Sequence, residues 1–200
     1  EGIGDKHVTW IHNVRNMDLL VCIDDQQCLE GLQLLQEGRD TLASELGLAQ
    51  ELLDSLDGVF GISGVCNILA AIKAAKHWDL GQDDMLVTVA TDGSELYNSE
   101  REKVMRRDYA EGFDDPEGEA TVENHLNALT TDHILDMDEA NRNRVFNLGY
   151  FTWVEQQGIS IEDFECRRDQ AWWNGLRPLI ETWDNNIDEF NEATGAKHLE

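Results

Sequence analysis

The stretch DDQQCLEGLQLLQEG (Asp24 to Gly38) sets Cys28, Leu29, Leu32 and Leu35 at helical spacing, opens on Asp as an N-cap and stops at a glycine. It predicts an amphipathic helix. Just before it, DLLVCIDD (Asp18 to Asp25) is a short β-branched apolar run closed by acids, which predicts a buried strand. ELGLAQELLDSLDG reads as another short helix. GVFGISGVCNILAAIKAAKHWDLG is a glycine-rich turn feeding an apolar helix from Val65 to about Trp78, closed by Gly81. The clearest strand is Met85 to Ala90 in DDMLVTVATDG, apolar at nearly every residue. That continuity predicts a strand covered on both faces, as in a parallel sheet.

This order predicts an α/β fold: a partial, mostly parallel sheet flanked by helices and joined by right-handed crossovers. After Gly93 the pattern changes, and no convincing strand is predicted from Glu95 onward. DEANRNRVFNLGYFTWVEQQG places Val145, Leu148, Phe151 and Trp153 or Val154 near one helical face. The following segment reads as helical twice over, broken near Gly175 and Pro178. A helical extension is therefore expected over 101–196. Its many Trp and Phe side chains read as packing anchors. The closing KHLE (197–200) resembles a cloning scar.

Charge narrows the partners. Of the 200 residues, 41 are acidic and 15 basic, for a net charge of −26, and only five of the bases are lysines. Such a field repels nucleic acid and anionic membrane. The acids are spread over the chain, a pattern suited to a salt-rich cytoplasm where screening is strong. No long apolar run suggests a membrane span, and the first residues lack a signal-peptide pattern, so a cytoplasmic location is expected. The four cysteines (Cys22, Cys28, Cys66, Cys166) lack CxxC spacing and read as reduced thiols, mostly buried.

Three places could carry chemistry. His7 and His12 lie five apart with Asp5 the one nearby carboxylate, too few ligands for a structural metal, so none is expected. GISG (Gly61 to Gly64) sits at a helix mouth, where backbone N–H groups attract anions; a tight turn into a buried helix is the alternative. TDGSELY (Thr91 to Tyr97) follows the best strand, where open α/β sheets place ligands. A hydroxyl of Thr91 or Ser94 there could meet a heteroaromatic ring nitrogen, with helix capping as the competing role for Ser94.

The succession EGIG, GISG with NILAAIKAAK, and VTVATDGSELY resembles the C-terminal half of fold-type II pyridoxal-phosphate enzymes, the cysteine synthase and cystathionine β-synthase group. The resemblance covers about residues 1–100, and FNLGYFTWVEQQG is similar to the C-terminal extension of a cysteine-synthase-like branch. It implies pyridoxal 5'-phosphate as cofactor and a small amino acid as substrate, undergoing β-elimination or β-replacement. Gly2 and Gly4 match a loop beside the cofactor. Gly93 stands where the family has its ring-nitrogen serine, leaving Thr91 and Ser94 as candidates. Cys66 follows the GISG turn and is given a packing role.

One part of the family pattern is missing. None of Lys6, Lys73, Lys76, Lys103 and Lys197 matches the Schiff-base lysine motif, and no phosphate-cradling GGTG-like loop occurs. No catalytic residue is assigned. The chain is therefore expected to be the C-terminal part of a longer enzyme, unable alone to form an internal aldimine or to hold the cofactor. The alternative is a non-catalytic module that pairs with itself, and a homodimer is expected because the aromatic tail needs covering. Generic small-anion binding at GISG is a third reading.

Overall fold

The computed structural model describes residues 7–196. These form two compact units: Leu19–Asp136, and a second made of residues 7–18 with 137–196. The change of character at Gly93 falls inside the first unit.

The first unit opens with strand β1 (Leu19–Val21), followed by helices α1 (Asp25–Glu37), α2 (Arg39–Leu46), α3 (Gln50–Ser55) and α4 (Ile62–His77). After a 3-10 turn at Ser94–Tyr97 come α5 (Asn98–Asp108) and α6 (Asp115–Val122), the latter running into a wide π turn, and then strand β2 (Ile134–Asp136). Helix α1 forms where its signals place it. The Asp24 carboxylate accepts from the Gln26 N–H at 2.8 Å, and the Gly38 N–H returns to the Leu34 carbonyl at 2.9 Å.

The main core joins Cys28, Leu29 and Leu32 of α1 to Ile62, Val65 and Leu69 of α4, with Val104 of α5 and Leu129. Gly31 lets α1 and α4 approach closely, since a Cβ there would lie 2.8 Å from Val65 Cγ1. A second cluster, Leu34, Leu42, Leu53 and Val122, seats α2, α3 and α6 on the far side of α1. Helix α4 begins at Ile62, three residues before the apolar run predicts, because Ile62 is itself fully buried.

The sheet is where expectation and structure part. Among the described residues there is one two-stranded antiparallel sheet, pairing Leu19 with Asp136, Leu20 with Leu135 and Val21 with Ile134. The expected parallel sheet is not formed, and β2 lies in the region expected to lack strands. Met85 to Ala90 has no ladder partner and lies exposed, with Met85 and Val87 each 86% and Val89 64% accessible. A helix satisfies its hydrogen bonds internally. A strand needs a strand beside it, and no ladder among the described residues pairs with this one.

In the second unit, α7 (Glu139–Tyr150) runs into a π turn at Phe151–Gln156, then α8 (Ile161–Cys166), α9 (Gln170–Leu176), a 3-10 turn and α10 (Ile180–Thr194) follow. The break near Gly175 and Pro178 is present. The buried face of α7 carries Phe146 and Gly149, while Leu148 and Phe151 are exposed, so the face predicted through Val145, Leu148 and Phe151 is corrected by one position. Apolar residues on both sides of this helix leave its phase ambiguous. Phe164, whose ring centre lies 4.6 Å from that of Phe146, decides it. No helix among the described residues is long and apolar enough to cross a membrane.

Candidate functional site

The two motifs of the first unit, GISG and TDGSELY, meet at the start of α4. The Gly61 N–H donates to the Asp92 carbonyl at 2.7 Å, and the Ser94 N–H to the Gly58 carbonyl at 3.0 Å. Tyr97 donates its phenol to the Asp92 carboxylate, and this bond, more than burial, holds the phenol above its usual range. Thr91 donates to the other Asp92 oxygen at 2.8 Å. One turn along α4, the Asn67 amide donates to the Val89 carbonyl at 3.0 Å and fastens the exposed apolar segment to the helix.

Asp92 thus stands at the mouth of α4. A Cβ on Gly61 would lie 2.9 Å from Asp92 Oδ1, so a carboxylate of this chain already stands beside the helix mouth without capping its N–H groups. That arrangement disfavours a second negative group at the GISG turn.

The candidate cofactor residues separate. Gly2 and Gly4 lie outside the described residues. Thr91 is exposed and presents its hydroxyl beside Asp92. Ser94 is buried and donates to Gln36 Oε1 at 3.2 Å, turned into the protein rather than capping a helix. The Gln36 amide nitrogen is itself buried with no partner among the described residues.

The lysines of NILAAIKAAK have other work. Lys73, buried, donates to the carbonyls of Cys22 at 3.2 Å and Asp132 at 2.5 Å, tying α4 to the ends of both strands. Lys76 donates to the carbonyls of Leu126, Asn127 and Leu129 at 3.1, 2.8 and 2.9 Å, closing the helix that ends there. Lys103 pairs with Glu100 at 2.6 Å. Lys6 and Lys197 lie outside the described residues. Sequence reasoning missed both carbonyl-capping roles, because the partners of Lys73 and Lys76 lie some fifty residues away in the chain.

A polar cavity of about 300 Å³ lies elsewhere in this unit, lined by Cys22, Gln27, Lys73, Asn124, Thr130 and Asp132 among others. Neither Thr91 nor Ser94 lines it. Among the described residues no group of three or more His, Cys, Asp or Glu is placed to hold a metal, and the His12 ring meets Met17 Sδ at 2.8 Å.

Cys28 and Cys66 form a thiol pair between α1 and α4. Their mutual hydrogen bond, with the donor Cys28 fully buried, pushes the Cys28 thiol up and brings Cys66 down to about 7. Cys22 and Cys166 are exposed, so of the four thiols only Cys28 is fully buried. The expectation of mostly buried thiols is corrected on that point.

No protein-family model matches this chain, and no curated protein or solved structure matches it either.

Proposed function

We propose that this chain supplies the ring-side wall of a fold-type II pyridoxal-phosphate site acting on small amino acids by β-elimination or β-replacement, and that it works only when further chain completes the sheet around Met85–Ala90. The observation that carries this reading is the apolar run Met85 to Ala90, exposed and without a ladder partner, ending at Thr91 where two motifs of the resemblance are hydrogen-bonded to one another. An apolar run with no strand beside it is incomplete by itself.

Lys73, Lys76 and Lys103 are engaged with carbonyls and a carboxylate, and the Ser94 hydroxyl is buried against Gln36. Thr91 is the hydroxyl with access to a ring placed at the end of the apolar run.

The test joins the chain to an N-terminal half from a cysteine synthase that carries the lysine and the phosphate loop. Amides 85–90 should become protected from hydrogen exchange, and a visible imine band should form with pyridoxal phosphate. Protection without the band would leave a purely assembling role. Amides that keep exchanging freely would sink the proposal.

A further inference from the structure

Among the described residues of the second unit, none buries the apolar stripe of helix α10. Ile180, Trp183, Ile187 and Phe190 recur at alternating steps of three and four residues and are 53%, 47%, 56% and 66% accessible. That is the spacing of a helix-pairing seam, about 15 Å long at 1.5 Å rise per residue. The helix is fully built: Gly195 ends it in the left-handed conformation, with its N–H on the Glu192 carbonyl at 3.3 Å. Four large side chains in register along one face are more than the scattered exposure of an ordinary surface helix.

Charge chooses the occupant. Around the stripe stand Glu181, Asp184, Asp188, Glu189 and Glu192, and α10 contains no basic residue. A second copy would set acid against acid along the whole seam, and a membrane-surface helix needs a basic face. We infer that α10 is a docking helix for a basic amphipathic helix of another protein, whose apolar stripe meets Ile180, Trp183, Ile187 and Phe190 while its Lys and Arg flanks meet the acids. This goes beyond the proposed catalytic role and involves none of its residues.

The test uses the full chain and two synthetic helical peptides with the same leucine stripe, one flanked by lysines and one by glutamates. The lysine peptide should bind at least tenfold more tightly. Ile187→Gln with Phe190→Gln keeps good helix formers on the surface, and circular dichroism checks that the helix survives. This pair should weaken lysine-peptide binding at least tenfold, whereas Leu148→Gln with Phe151→Gln, on another exposed apolar patch, should not. Asp184→Lys with Asp188→Lys should shift preference toward the glutamate peptide. Lysine-peptide binding that survives the α10 glutamines would be adsorption to an acidic protein and would overturn the inference. So would sedimentation showing the chain alone as a dimer that those glutamines dissociate, because the occupant would then be a second copy.

Discussion

Gly61 donates its N–H to the Asp92 carbonyl at 2.7 Å, and at the same residue the Tyr97 ring and the Asp92 carboxylate occupy the space a Cβ would need. The helix mouth and the loop after the apolar run are thereby locked together by a residue with no side chain. Its backbone is extended, so this requirement for glycine is steric and not a matter of dihedral angle.

Gly61→Ala should therefore destabilise the first unit by about 1–3 kcal/mol, the cost of overpacking a tight site. Urea unfolding checks this. A midpoint unchanged from wild type would mean that Tyr97 swings aside without loss.

Arg167 organises the second unit. It is 2% exposed, with its guanidinium carbon 4.2 Å from the Trp10 ring centre, and its Nη2 reaches the carbonyls of Thr9 and His12 at 3.4 Å each. Phe146, Phe164 and Trp173 also face it, and burial draws its pKa down from the ordinary arginine value. Arg167→Lys keeps the charge but loses the stacking plane, and should cost about 1–2 kcal/mol. Thermal unfolding followed by tryptophan fluorescence reads it; an unchanged midpoint would show that charge alone suffices.

The thiol pair predicts a pH profile. Thiolate is the reactive form, and the Cys28 hydrogen bond lowers Cys66 to about 7, so the Cys66 thiolate fraction grows as pH rises through neutrality. Alkylation of the Cys66 peptide, followed by mass spectrometry, should show a midpoint near pH 7. Cys28, fully buried, should stay unmodified until unfolding. Cys28→Ala should move the Cys66 midpoint upward, and a profile indifferent to that change would remove the hydrogen bond as its cause.

Salt should stabilise the chain. With a net charge of −26, repulsion opposes compactness, and at molar salt the screening length falls to about 3 Å. Melting temperatures should climb from dilute to molar KCl. A flat or falling series would mean that local ion pairs, such as Arg101 with Glu37 at 2.6 Å, outweigh the net repulsion.

Elements whose hydrogen bonds close within one segment are legible along the chain. Helix α1 runs between its Asp cap and Gly38, α4 carries the long apolar face, and the tail is helical with a break near Pro178. Each depends on neighbours three or four positions away, so period and caps suffice. The net charge is legible too, since counting needs no fold. The tertiary structure alone decided whatever needs a distant partner. Met85 to Ala90 has every local mark of a buried strand and remains exposed, because a strand is completed only by another strand. Three residues at Ile134–Asp136, too short to signal themselves, became β2 because β1 lies alongside. Packing set the face of α7, sent Lys73 and Lys76 to carbonyls across the first unit, and turned Ser94 inward to Gln36 while leaving Thr91 at the surface. Such choices arise from shape and bonding partners separated by tens of residues, which no local pattern encodes.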